Sequence, residues 1–341
     1  MPRSARLDAP GLLHHVLIRG IEDQEVFTDN DDRENFLNRL SALLSETGTL
    51  CYAWALLPSH AHFLFKSGSL TPLPTLMMRL LTGYVVSFNH RHGRRGRLFR
   101  NRYKSIVFQE DVYLRELVRY IHLTPLWSGL VSGLQELENY HYSGHGILMG
   151  TVQGRWQHMD FVLDRFGSTR KTAREAYFSY VEAGLNRNLP TDLIGFGLLR
   201  NLGDRSPLQA SRPKWEGQVK TDERILGDSG FADEIFPRAA KRHEHHNNLL
   251  RQGYDLNRLI EGIGRIFRMQ PDEIVSKGKQ KKKVLARSLL CYWAVNGLGL
   301  SLTELAGRLG MSVPGVGYAA KRGETIARSN HYQLPLQRHL L

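Results

Sequence analysis

The stretch Pro58-Ser59-His60-Ala61-His62-Phe63-Leu64-Phe65 decides how the rest of the chain is read. In an extended strand successive side chains face opposite ways, so His60, His62 and Leu64 share one face while Ala61, Phe63 and Phe65 share the other. The second set is apolar and suits the buried underside of a sheet. The first sets two imidazoles side by side, where they can hold a divalent cation or stand as ordinary polar surface residues. The motif alone does not choose. The chain has 15 histidines, and His-x-His recurs at His90/His92 and His243/His245. Those copies lie in charged or polar runs and read as solvated surface; only the first sits inside apolar alternation.

Working outward, Leu13-His14-His15-Val16-Leu17-Ile18-Arg19 reads as a strand ended by Gly20. Thr28-Asp29-Asn30-Asp31-Asp32 supplies an acidic helix start, Phe36, Leu37, Leu40, Leu43 and Leu44 its buried stripe, and Gly48 its stop. Leu50, Tyr52, Trp54 and Leu56 alternate as a second strand, turned by Leu57-Pro58-Ser59 into the histidine strand. A helix opened by Thr71-Pro72 carries Leu73, Leu76, Met77, Leu80, Leu81, Tyr84, Val85 and Phe88 as core. Ser105-Ile106-Val107-Phe108 is a fourth strand. A further helix runs from near Asp111 to Pro125, with Tyr113, Leu117, Tyr120 and Thr124 on one stripe and Glu116 beside them. The order strand, helix, strand, strand, helix, strand predicts an α+β fold: a ferredoxin-like antiparallel sheet with helices on one face and the histidine strand near its centre.

Charge points to a partner. Lys and Arg number 46 against 33 Asp and Glu, a net +13, which favours a polyanion, nucleic acid before anionic membrane. The surplus concentrates in His90–Lys104, where Arg94, Arg95, Arg97, Arg100, Arg102 and Lys104 are expected to hold phosphates and Phe99 and Tyr103 to stack on unpaired bases. No apolar run reaches the roughly 20 residues that span a bilayer, and the N-terminus lacks the apolar core of a signal peptide. Two distant cysteines, Cys51 and Cys291, support neither a disulfide framework nor a thiolate zinc site. A reducing cytoplasm is the expected location.

Three stretches carry a resemblance: Trp54-Ala55-Leu56-Leu57-Pro58-Ser59-His60-Ala61-His62, Gly96 to Ser105, and Tyr113 to Pro125. Together, over roughly residues 5–150, they resemble the single-tyrosine HUH transposases, most nearly the REP-associated tyrosine transposases. The resemblance implies a metal-dependent enzyme that cuts and rejoins single-stranded DNA, often beside a hairpin, at the bacterial nucleoid. It implies His60 and His62 as ligands of Mg²⁺ or Mn²⁺ and Tyr120 as nucleophile. The family usually places Asn or Gln four residues beyond that tyrosine as a third ligand; here Thr124 stands there, with Glu116 a candidate to compensate. His122, two residues past the tyrosine, is expected to be structural. Related enzymes can pair subunits, so a homodimer is open. The alternative is a non-catalytic DNA-binding regulator on the same fold.

Residues 151–246 read as a mainly helical connection, with a helix capped by Ser168 and a polar linker over 201–222. Residues 247–341 read as an all-α DNA-binding domain. Leu256 to Phe267, Pro271-Asp272-Glu273 and Val284 to Val295 mark helices, the last preceded by Lys277, Lys279, Lys281, Lys282 and Lys283. Ser301 caps a helix that Gly310 ends, and Ser312 caps another with Pro314 in its first turn. This helix-turn-helix layout resembles, over about residues 250–327, the DNA-binding domain of the replication initiator DnaA. It implies duplex contact by the second helix, with Lys279, Lys281, Lys282, Lys283, Ser312 and Arg322 as candidate contacts.

Overall fold

The computed structural model describes residues 6–68, 71–100, 102–154, 156–185, 224–228, 230–239, 255–276, 278, 280–298, 300–332 and 334. His243, His245, Lys277, Lys279 and the stretch 201–222 lie outside the described residues.

β1 (Leu13–Arg19) leads to α1 (Asn30–Thr47), β2 (Leu50–Leu57), β3 (His60–Lys66), α2 (Leu73–Arg91) and β4 (Lys104–Phe108). α1 starts where the Asp29 carboxylate accepts from the Asp32 amide and stops at Gly48, whose φ of 68° a side chain would strain. The strand order is β2-β3-β1-β4, closed by β5 (Ile225–Leu226), which pairs parallel with β4. Apart from that last pair the sheet is antiparallel. β3 is flanked by β2 and β1, as the order of elements predicts.

The two crossover helices α1 and α2 cover one face, packing Phe36, Leu40, Leu76 and Leu80 on Val16, Ile18, Ala61, Phe63 and Phe65. One-sided coverage ends there. α3 (Glu110–Trp127) has an apolar stripe of its own, Leu114, Leu117, Val118 and Ile121, and buries it on the opposite face against Leu17, Leu57 and Leu64. The histidine face is therefore roofed by the helix that carries Tyr120. A bulge between Cys51 and Ala53 breaks the simple alternation of β2: Tyr52 joins Ala53 on the α3 face, while Trp54 and Leu56 keep to the other.

Packing on the sheet continues past residue 150. After α4 (Leu134–Asn139) and α5 (His145–Met149) come α6 (Met159–Leu163) and α7 (Arg170–Glu182), which bury Val162, Leu163, Ala173, Tyr177 and Val181 in the α3-side core. The cap of α7 is Thr169, which forms a reciprocal box with Thr172; Ser168, one residue too early, is not the cap. A helix over 230–239, α8, lays Ile235 on Val107.

The C-terminal helices are α9 (Leu256–Phe267), α10 (Pro271–Val275), α11 (Lys281–Asn296), α12 (Leu302–Leu309) and α13 (Val313–Ser329), around a core of their own. Ser301 accepts from the Glu304 amide, Gly310 ends α12 at φ 59°, and Ser312 accepts from the Gly315 amide to open α13. α13 lies very close to α11: a Cβ on Gly323 would stand 2.0 Å from the Ser288 carbonyl oxygen. Among the described residues no helix is long and apolar enough to cross a membrane.

Candidate functional site

β3 delivers its two imidazoles to the face beneath α3. Across the neighbouring strands His62 stands opposite Leu17 and Ala55, and His60 opposite Arg19 and Leu57. The His60 and His62 rings lie edge to face with centroids 5.3 Å apart. His60 is half-buried; His62 is buried. Each has its Nδ1 engaged: His60 with the Ser59 hydroxyl at 3.1 Å and His62 with Nε2 of His15 at 3.0 Å. Among the described residues neither Nε2 has a hydrogen-bond partner shown. A ring held at one nitrogen and open at the other is the arrangement of a metal-binding histidine.

Burial holds both rings neutral. His60 is pushed down to about 4, chiefly by desolvation and then by the Arg19 charge. His62 lies well below the usual imidazole range, again by desolvation first, then through His15 and His60. Neutral imidazole is the ligating form, so the pair fits a divalent cation. Among the described residues no group of three or more His, Cys, Asp or Glu side chains is arranged to hold a metal. The protein offers two nitrogens here, which leaves most of a coordination sphere to phosphate oxygen and water.

Tyr120 comes to the same place. Its ring meets His62 edge-on at 5.4 Å and His15 at 5.8 Å, and Trp127 packs on it at 5.9 Å. It is only 5 % exposed, and desolvation raises its phenol well above the ordinary value. Thr124, one turn on, is buried and donates its hydroxyl to the Ile121 carbonyl at 2.6 Å. α3 extends two residues past Pro125 rather than ending there. Glu116 does not join the histidines: it pairs with Arg119 and takes the Tyr180 hydroxyl, both directed to α7. His122 is structural, bonded at 2.8 Å to the Tyr177 hydroxyl, which His145 also contacts at 2.7 Å.

The basic stretch borders this site. Gly20 bridges to Phe99, and the Arg100 amide donates to the Arg19 carbonyl, so the loop is stitched to the end of β1 beside His60. Arg91 clamps the loop to Asp29, Asp31 and Asp32, and His92 also binds Asp32. His92 is thus an anchor rather than solvated surface. Arg94 reaches Gln24 at 3.1 Å. Arg95, Arg97, Arg100 and Arg102 are exposed, and no ion pair to them is found among the described residues. Lys104 shares a row across the sheet with Leu17 and His62, on the α3 face. Phe99 and Tyr103 are not base-stacking platforms. Both are buried in the α1–α2 core, and Arg6 covers the Tyr103 ring.

In the C-terminal domain Lys281 and Lys282 are exposed in the first turn of α11 and Lys283 bonds Ser276. Three cations there oppose the helix dipole. Ser312 is exposed while capping α13; Arg322 is exposed and bonds Ser288 through Nε. Sequence reading passed over the rest of that helix face: Pro314, Tyr318, Lys321, Thr325 and Arg328 are all exposed at i, i+4, i+7, i+11 and i+14, Tyr318 by 68 %. The same periodicity that marks a core stripe marks this outward one. His15 was missed too. Inside Leu-His-His-Val-Leu nothing separates it from a strand filler.

No family model matches the chain. It is 28 % identical over 115 residues to the chromosomal replication initiator protein DnaA of Pseudothermotoga lettingae, a match to 34 % of this chain and 25 % of that protein. The chain thus spans about a quarter of that relative's length. A solved structure of a REP-associated tyrosine transposase bound to a REP hairpin aligns with 46 % of this chain and 94 % of that one, at 14 % identity and a TM-score of 0.36.

Proposed function

We propose that the chain is a transposase-like enzyme that nicks and rejoins single-stranded DNA through a tyrosine, with a second, duplex-binding domain at its C-terminal end. The observation that carries the reading is the contact of the Tyr120 ring with His62, itself paired with His60 beneath α3. A nucleophile brought from one element onto two neutral imidazoles of another is what a metal-assisted phosphoryl transfer requires. His60 and His62 would hold the cation, which when bound supplies Lewis-acid polarisation of a phosphate oxygen. Imidazole nitrogens suit Mn²⁺ better than Mg²⁺.

Tyr120 Oη forms the bond to phosphorus and the P–O3′ bond breaks, giving a 5′-phosphotyrosine and a free 3′-hydroxyl. The phenol proton passes to water as the P–O bond forms, and the 3′-oxygen takes a proton from water, so the step balances. Attack by a 3′-hydroxyl reverses the step without an external energy source. Because Tyr120 is covered, the reacting strand must enter with a shift of α3 or of Trp127. Arg95, Arg97, Arg100 and Arg102 line the approach beside His60 and neutralise backbone phosphates. The exposed stripe of α13 and the lysines of α11 suit the groove and backbone of duplex DNA. Residues 250–327 resemble a DnaA DNA-binding domain, which fits that role.

The test is adduct formation on a 3′-labelled hairpin with a single-stranded flank in Mn²⁺, since the label must lie on the fragment whose 5′-phosphate joins the tyrosine. The full chain should yield a protein–DNA band that resists denaturant; Tyr120→Phe should yield none while still shifting the hairpin. Adduct from the Phe variant overturns the nucleophile. The second reading, a DNA-binding regulator without chemistry, is favoured by the cover over Tyr120 and by the engaged Thr124 hydroxyl. Its mark is hairpin binding with no adduct from the unaltered chain in either metal.

A further inference from the structure

His15 enters the site from β1, on the strand beside the histidine pair, and its contact with His62 has a chemical consequence. The two rings are nearly coplanar, 18° apart, with His15 Nε2 and His62 Nδ1 3.0 Å apart. Both residues are buried. Two neutral imidazoles hold one hydrogen each, so one hydrogen occupies the contact and the other sits on a remote nitrogen.

Only two arrangements exist. If His15 donates from Nε2, His62 accepts at Nδ1, carries its own hydrogen on Nε2 and cannot ligate there. If His62 donates from Nδ1, its Nε2 presents a bare lone pair, and His15 carries its hydrogen on Nδ1. That Nδ1 is buried and has no hydrogen-bond partner among the described residues. A buried donor without an acceptor is less tolerated than a buried acceptor without a donor. The first arrangement likewise leaves the His62 Nε2 hydrogen without a hydrogen-bond partner among the described residues; only the second frees His62 Nε2 to take a ligand.

We infer that His15 is a positioning residue for the cation site: its Nε2 accepts the His62 Nδ1 hydrogen, so that His62 Nε2 is directed, unprotonated, at the cation. The inference rests on the two-imidazole reading of the site. Removing such a partner of a metal-ligating histidine costs about 10–100-fold in affinity. His15→Leu should weaken Mn²⁺ binding by that factor. His15→Gln, whose Oε1 can accept from Nδ1, should stay within about threefold of the unaltered chain.

Free Mn²⁺ measured by electron paramagnetic resonance gives the affinities on the full chain. The histidine ¹⁵N shifts with saturating Mg²⁺, assigned by loss of the His62 signals in His62→Gln, give the tautomer. The expected results are weak binding by the Leu variant, near-normal binding by the Gln variant, and a hydrogen on His62 Nδ1 in the Mg²⁺-loaded chain. Equal Mn²⁺ affinity of the Leu variant and the unaltered chain would overturn the role of His15 and leave the cation site standing. Equal weakening by Leu and Gln would overturn it in favour of packing. Should the Leu variant fail to fold, the spectrum of the unaltered chain decides: a hydrogen on His62 Nε2 at saturating Mg²⁺ refutes the inference. No Mn²⁺ binding by the unaltered chain overturns the site reading itself.

Discussion

The hydroxyl of Thr124 donates to the carbonyl of Ile121 at 2.6 Å. Residue 125 would ordinarily bond that carbonyl through its amide, but Pro125 has none. Thr124 thus supplies from a side chain what the backbone lacks, which lets α3 run on to Trp127, the residue that covers Tyr120. Thr124→Val should lower stability by about 1–3 kcal/mol, the cost of a buried carbonyl left unpaired. Urea denaturation reads this. Mn²⁺ affinity of the folded variant should stay within twofold if, as proposed, His60 and His62 hold the cation.

The exposed arginines should set the salt response of binding. Each phosphate contact on a single strand contributes a slope of about 0.7 in log affinity against log salt. Replacing Arg95, Arg97, Arg100 and Arg102 together by Gln should flatten the slope by about 3. The Arg91 clamp to α1 is untouched, so the thermal midpoint should hold. Fluorescence anisotropy across a salt series checks both parts.

Acid should loosen the fold through histidines that lie away from the reacting groups. Burial depresses His145 from 6.5 to about 4 and puts His122 well below its usual range. Below pH 6.5 the unfolded chain takes up protons that the folded chain refuses. Stability is therefore flat above 6.5 and falls as pH drops toward 4, by about 2 kcal/mol for His145 alone at pH 5. Urea midpoints at pH 7 and pH 5 measure it. His145→Gln should shrink the difference.

The close approach of α13 to α11 needs Gly323. An alanine Cβ there would meet the Ser288 carbonyl oxygen at 2.0 Å, a backbone contact that cannot swing aside. Gly323→Ala should force the two helices apart and weaken duplex binding at least tenfold, while adduct formation on a short single strand persists. Gel shift and adduct assays on the same preparation separate the two effects.

Much of this was legible in the chain because it rests on periodicity. Alternation around His60 and His62 placed them on one face, and helical spacing placed Leu117 and Tyr120 together on the buried side of α3, with Tyr113 only partly covered. Caps at Asp29, Ser301 and Ser312 stand where short polar side chains precede apolar runs. What periodicity misses is pairing between distant strands. His15 meets His62 only because β1 lies against β3 in one register, which no local pattern announces. Phe99 and Tyr103 looked available among arginines, yet the loop is pinned to β1 and α1, which turns both rings inward. The β2 bulge inserts one residue and reverses the facing of Tyr52. The two-residue β5 is too short to signal itself.

That small strand also protects the molecule. The amides of Val107 and Gln109 donate to the Arg224 and Leu226 carbonyls at 2.8 and 2.9 Å, and Ile235 shields Val107. A fragment cut after residue 150 keeps the histidines and Tyr120 but strips this outer rim from β4. Its bare amides would invite edge-to-edge joining with other copies, the usual route from an open sheet margin to aggregates. The sheet that carries His60, His62 and Tyr120's neighbours is therefore edged by a segment more than seventy residues beyond residue 150.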